Sequence, residues 1–184
     1  MPARFAHLFA IDDVLALRLS DGTYRAAICA QISSPNRNGP ATSRTGARCT
    51  YDLAFTTFCG NGPPTIDDLR ACSLAGHPVD TSFDASAILA EQPGADAFWR
   101  SPGARERIRP FFVGLDYVLI AHPHAAALVD RFTRVGKLSV RPGFKRQGGY
   151  RYAASFEELE RILRVQAEPP RTPSGFRIDM LCEP

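Results

Sequence analysis

One dipeptide restricts the fold of this chain more than any other feature. Asp21 and Gly22 separate two apolar runs, VLALRL before them and YRAAICAQI after them. An Asp-Gly pair between such runs favours a two-residue type I′ turn, because both central residues of that turn need a positive φ. We therefore predict a β-hairpin with strands near 14–19 and 24–32.

The expected register of this hairpin follows from the two-residue turn. The predicted pairs are Leu19 with Tyr24, Leu17 with Ala26, and Leu15 with Ile28. Since side chains alternate between the faces of a strand, all six residues should point to the same face.

Further short elements follow the hairpin along the chain. We predict strands near 51–58 and 112–120, paired strands at 138–140 and 150–152, and an edge strand over 176–181. Helices are expected after the N-cap Thr65, from the residues after His124 to Phe132, and near 156–165 behind a Ser155 capping box. The fold class is therefore α+β: a twisted antiparallel sheet, opened by the Asp-Gly hairpin, with a few short helices packed on it.

The length of 184 residues fits a single domain, 1–184, with a core of its own. Two segments have the composition of connections. Residues 33–50 form a long polar loop of Ser, Asn, Gly, Pro and Arg, and residues 166–175 form a proline-rich extended segment. A loop as long as 33–50 is typical of function or disorder, although a plain solvated insertion has the same composition.

Composition and charge exclude several classes of protein. The net charge of +3 is too small to indicate nucleic acid or membrane binding by itself. No apolar run approaches the ~20 residues that span a bilayer, and Asp12 and Asp13 end the first apolar run without a cleavage site. We expect a cytoplasmic protein that does not contact a membrane.

The five cysteines give no sign of a disulfide framework or a metal site. Their number is odd, and none belongs to a CxxC pair. A zinc site from Cys59, Cys72 and His77 would have a spacing that matches no structural zinc pattern. We expect reduced cysteines, no metal and no cofactor.

His122 and His124 are the residues most suggestive of catalysis. They lie where a predicted strand ends and a helix begins, which is a frequent place for ligands in α/β sheets. Two surface histidines at a helix-entry turn are the simpler interpretation. No local signature surrounds Cys59 or Cys72, so neither can be assigned as a nucleophile for these histidines.

A basic segment follows, over residues 137–151. Its cations are Lys137, Arg141, Lys145, Arg146 and Arg151, and its aromatic residues are Phe144, Tyr150 and Tyr152. This composition suits single-stranded nucleic acid, and it equally suits an acidic protein partner met by aromatic anchor residues. A solvated hairpin loop is the third interpretation. No nucleic-acid-binding motif accompanies the segment, so we expect no nucleic acid partner.

The N-terminal elements resemble one family. A strand after Asp12-Asp13, the SDGTY turn, the strand YRAAICAQI, the aromatic strand YDLAFTTFCG and then PPTIDDL follow one another over residues 12–75. This order resembles an immunity-protein family of bacterial polymorphic toxin systems. The chain departs from that pattern in the insertion 33–50 and at Arg25-Ala26-Ala27, where the family tends to have a glycine.

The resemblance implies that the protein binds and neutralises a cognate toxin by stoichiometric contact, without catalysis. For this role we expect recognition by loops on the sheet scaffold. The candidate partner-binding residues are Arg37, Arg44, Arg141, Phe144, Lys145, Arg146 and Tyr150. The alternatives are a small hydrolase or nucleic-acid-processing enzyme that uses His122 or His124, and a nucleic-acid-binding module that uses the 137–151 segment. The sequence leaves the oligomeric state open.

Overall fold

A seven-stranded sheet organises the protein, whose computed structural model describes residues 7–33, 49–78, 112–141, 145, 147–167 and 177–183. The strands are β1 (Asp13–Arg18), β2 (Tyr24–Ser33), β3 (Thr50–Gly60), β4 (Gly76–Pro78), β5 (Phe112–Ala121), β6 (Phe132–Lys137) and β7 (Gln147–Tyr152). Their order is β4-β5-β3-β2-β1-β6, and β7 pairs with β5. Every pairing is antiparallel except that of β7 with β5, which is parallel. The predicted α+β fold is confirmed.

Short helices cover both faces of this sheet. They are α1 (Ile66–Arg70), α2 (His122–Ala127), a 3₁₀ turn (Val129–Arg131), α3 (Phe156–Ala167) and α4 (Ile178–Leu181). On the first face, α1 and α4 pack with Leu138 and Val140 over the even-numbered residues of β1 and β2. On the second face, α2 and α3 pack over the odd-numbered residues.

The hairpin exists, but its predicted register is wrong by one residue. Leu17 pairs with Arg25, and Ala26 pairs with Ala16. Leu17 and Ala26 therefore lie on opposite faces of the sheet, in separate apolar clusters. The connection is a three-residue loop closed by hydrogen bonds between Leu19 and Thr23 and between Gly22 and Leu19.

The turn and the core together explain this difference. Gly22 has a φ of 86°, and Asp21 does not share this positive φ, as a type I′ turn would require. A type I turn followed by one left-handed residue makes the three-residue hairpin loop instead. Both faces of β1 and β2 are buried, so the apolar residues on either face have a place in the core.

Several predictions for the C-terminal half are wrong. The helix from His122 ends at Ala127, and Phe132 begins β6, which pairs with β1. Segment 138–140 does not pair with 150–152, since Val140 bridges to Cys182 and β7 joins β5. Residues 178–181 form α4 rather than an edge strand, because burial of Ile178 and Leu181 against the first face needs a helical spacing.

The helix starts predicted at the caps Thr65 and Ser155 are confirmed, whereas the helix expected after His124 begins at His122. Thr65 caps α1 with a full capping box, in which Asp68 accepts from the Thr65 backbone N–H. At α3, the Ser155 hydroxyl accepts from the N–H of Glu158. The Glu158 carboxylate accepts from Ala154 N–H, one residue earlier than a standard box. Most of segments 33–50 and 166–175 lies outside the described residues.

Candidate partner-binding surface and a histidine, cysteine and tyrosine cluster

Two tyrosines on β7 form the most prominent apolar feature of the described surface. Tyr150 and Tyr152 are 56% and 62% exposed. Their rings meet edge to face, with centroids 5.5 Å apart and planes at 82°. They pair with Tyr117 and Leu119 of β5, which belong to the first-face core. The pair, named here the tyrosine edge, therefore extends the first face into solvent.

The tyrosine edge has the properties of a binding surface. Tyrosine contributes a large contact area at a small cost in side-chain entropy and is enriched among the residues that dominate binding energy. Tyr150 was a sequence candidate, and it lies exposed as that role requires. Tyr152 joins it because alternate residues of a strand share a face.

Lys145 has an internal role that the sequence did not indicate. Its Nζ lies 3.1 Å from Asp12 Oδ1. Its backbone carbonyl accepts hydrogen bonds from Tyr117 Oη at 2.8 Å and Gln31 Nε2 at 2.9 Å. The ammonium is thus paired with an acid of the same chain, and this residue fastens the segment between β6 and β7 to the sheet.

Arg141 also makes contacts within the fold. Its backbone N–H donates to the Leu181 carbonyl, and its side-chain Nε donates to the Cys182 carbonyl at 3.3 Å. The remaining candidates Phe144, Arg146, Arg37 and Arg44 lie outside the described residues.

Arg151 lies apart from Lys137, the first cation of the basic segment. Lys137 ends β6 and Arg151 lies in β7, on opposite sides of β5, β3, β2 and β1. Five strand spacings separate these two strands by roughly 24 Å. Arg151 pairs with Val118 of the second-face core, whereas the tyrosine edge belongs to the first face. Among the described cations, Lys137 and Arg151 therefore do not share one surface.

A second constellation surrounds His122. Its Nδ1 lies 2.8 Å from Tyr51 Oη and 3.7 Å from Cys49 Sγ. Cys49 Sγ is also 3.7 Å from His7 Nδ1. The sheet produces this meeting, because β3 and β5 are antiparallel and the backbone N–H of His122 donates to the Cys49 carbonyl.

The hydrogen bonds of Tyr51 favour one tautomer of His122. The hydroxyl accepts from the N–H of Leu8 at 2.9 Å, so its own hydrogen is available for His122 Nδ1. Burial raises the pKa of Tyr51 to about 12, which keeps the hydroxyl protonated at neutral pH. A donated hydroxyl hydrogen favours the tautomer of His122 that carries its proton on Nε2.

Cys49 and His122 are the residue types of a nucleophile and its base, but the closer Tyr51 hydroxyl already occupies the Nδ1 lone pair that would accept the thiol proton. Cys49 is only 8% exposed, whereas His7 is exposed. His124 lies exposed on α2 and makes no hydrogen bond to this cluster. Sequence reasoning missed Cys49, since it is 73 residues from His122 and carries no local signature.

In the described ranges, no group of three or more His, Cys, Asp and Glu side chains is arranged to hold a metal ion. Among the described helices, none is both long and apolar enough to cross a membrane.

Comparisons with known proteins give no family for this chain: no family model, no curated protein and no solved structure matches it.

Proposed function

We propose that this protein binds and neutralises a cognate bacterial toxin domain in the cytoplasm by stoichiometric protein contact. The observation that carries the proposal is the tyrosine edge, Tyr150 and Tyr152, held on a strand of a seven-stranded sheet. The resemblance of residues 12–75 to an immunity-protein family supports a toxin as the partner.

The binding energy in this proposal comes from the aromatic rings rather than from the basic segment. More than half of each ring-bearing side chain is available to a partner. Because each ring is already in contact with the other, little conformational freedom is lost on binding. Lys145 is neutralised by Asp12, so its contribution to charge steering is small.

The test uses the toxin domain encoded beside this protein's gene. The two chains are co-expressed, and the complex is measured by calorimetry for stoichiometry and affinity. Tyr150→Ser and Tyr152→Ser should each weaken binding by about thirtyfold, or ~2 kcal/mol, as for anchor residues in other interfaces. Val129→Ser is the matched control, since Val129 is an apolar residue exposed elsewhere, at 37%. Binding that is unchanged in both tyrosine variants would contradict this surface.

A hydrolase or nucleic-acid-processing enzyme is the second candidate, favoured by the contact between Cys49 and His122. In that case protection of cells should need only sub-stoichiometric protein. It should be lost in Cys49→Ser and His122→Gln and kept in both tyrosine variants. The opposite pattern, with a one-to-one complex, supports the binding function.

A further inference from the structure

Arg25 of β2 is a buried cation that has no salt-bridge partner among the described residues. Its side chain is 8% exposed, and its Nε is buried without a hydrogen bond. Among the described residues, no carboxylate forms a salt bridge with it. Burial lowers the pKa of its guanidinium, which means that the charged form is destabilised where it lies. A buried cation without a counter-charge attracts an anion.

Cys59 lies directly opposite Arg25 in the ladder between β2 and β3. Directly opposed residues of an antiparallel pair project to the same face, with their Cβ atoms about 5 Å apart. The next residues that pair in this ladder are Ala27 and Phe55. The register shifts between the two pairs, because β3 has a bulge there. Cys59 also affects the pKa of Arg25: it raises this pKa, in the direction opposite to burial, which lowers it more.

Cys59 is also the one exposed thiol among the five cysteines. The other thiols have protected surroundings. Burial raises the pKa of Cys29 to about 12 and that of Cys182 to about 11, and it raises the pKa of Cys72. An accessible thiol beside a cation is the usual environment of a reactive cysteine.

We propose that Cys59 is a thiol-exchange site for small anionic disulfides, and that Arg25 attracts the anion. In the exchange, the Cys59 thiol gives its proton to water, and its sulfur attacks one sulfur of the disulfide. The S–S bond breaks as the new bond to Sγ forms, and the other half leaves as a thiolate. The site is on the second face, apart from the tyrosine edge, and does not depend on the proposed function.

The experiment compares two disulfide reagents on the whole protein. One is the dianionic 5,5′-dithiobis(2-nitrobenzoate), and the other is the neutral 2,2′-dithiodipyridine. The rate constants are measured for the wild type, Arg25→Met and Arg25→Lys, and peptide mass spectrometry locates the modified cysteine. Arg18→Met is the matched control, because it removes the same charge from an exposed position on β1.

The wild type should be modified first at Cys59 by both reagents. In Arg25→Met, the ratio of the anionic to the neutral rate should fall roughly tenfold, as expected for loss of a unit charge close to the thiolate. Arg25→Lys should restore most of the ratio, and Arg18→Met should leave it unchanged. Glutathione disulfide should add one glutathione to the wild type and none to Cys59→Ser.

Two results would overturn the proposal. One is an unchanged ratio of rates in a folded Arg25→Met protein. The other is modification of Cys72 before Cys59. The salt dependence of the wild type provides a measurement that needs no variant: added salt should slow the anionic reagent and leave the neutral reagent unaffected. Equal salt dependence of the two reagents would also contradict an attracting cation.

Discussion

Lys145 Nζ and Asp12 Oδ1 lie 3.1 Å apart, and each side chain is 23% exposed. Asp12 also accepts from the Ser139 hydroxyl at 2.6 Å, so one carboxylate binds both ends of the segment that joins β6 to β7. Asp12 itself has a φ of 70°, in the left-handed region. A residue next to β1 thus fastens a segment 133 positions away along the chain.

This relationship predicts unequal effects for two substitutions of Asp12. Asp12→Ala removes both contacts and also the short polar side chain that lets Asp and Asn tolerate a positive φ, so it should cost ~2–3 kcal/mol. Asp12→Asn keeps an acceptor for Ser139 and tolerates the left-handed region, so it should cost about 1 kcal/mol. Urea denaturation measures both. Equal losses would show that neither the bond from Ser139 nor the tolerance of a positive φ contributes to stability.

A second prediction concerns the hairpin turn. Gly22→Ala puts a side chain at a φ of 86° and should cost about 1 kcal/mol, although an added Cβ would meet no atom within 4 Å. Gly62→Ala is the control, because an added Cβ there also meets nothing within 4 Å and its φ is not in the left-handed region. It should be neutral within ~0.5 kcal/mol. Thermal unfolding measures both variants. Because neither added Cβ is crowded, a larger loss in Gly22→Ala would come from backbone strain at the turn, and equal losses would contradict this strain.

The hairpin also shows which part of the fold local sequence determines. Asp21-Gly22 correctly located the turn, because glycine adopts the positive φ of a tight turn without strain. The register depended on which residues are buried, and helices far along the chain bury both faces. The apolar pattern is compatible with two registers that differ by one residue, because both faces are buried. The prediction that Leu17 and Ala26 share a face used the wrong one of these registers. The sequence did not predict α4, because a helix of four residues is too short to show a repeating pattern of apolar residues.

The candidate site was predictable only in part. Tyr150 was found because an aromatic residue in a polar, basic segment is informative by itself. The internal role of Lys145 was not predictable, since its partner Asp12 is brought near by the sheet. The same holds for Cys49 and His122, which meet only because β3 and β5 pair. Contacts between distant positions leave no local pattern in a single sequence.

The third prediction is a pH dependence centred on Asp52. Its Oδ1 is buried without a hydrogen bond, while Oδ2 accepts from the Ser33 hydroxyl. Burial raises the pKa of Asp52 above its ordinary value of 3.8, and the bond from Ser33 opposes this in part. The folded state therefore prefers the protonated acid. This stabilising contribution is complete below the unfolded pKa and is lost as the pH rises through the folded pKa.

Asp52→Asn should accordingly unfold at a higher temperature than the wild type at pH 7. The difference should shrink as the pH falls toward 4, because the wild type then becomes protonated and neutral. Asp130→Asn is the control, since Asp130 is exposed, and its difference from the wild type should not follow this trend. Thermal unfolding across pH 4–7 measures both. If the difference in unfolding temperature between Asp52→Asn and the wild type grew as the pH fell, the predicted direction of the Asp52 pKa shift would be contradicted.

The last prediction concerns the stability cost of Arg25. Its guanidinium is buried, its Nε lacks a hydrogen bond, and a buried donor without an acceptor costs about 1–3 kcal/mol. Methionine reaches as far as the Nε position of arginine and carries no charge, so Arg25→Met should raise the free energy of unfolding by about 1 kcal/mol or more. Arg18→Met, at an exposed position, should change it by less than ~0.5 kcal/mol. Urea denaturation at pH 7 provides the comparison. A large loss of stability in Arg25→Met would mean that the cation has a favourable partner in the folded protein. A gain would show that the chain keeps a destabilising arginine beside Cys59.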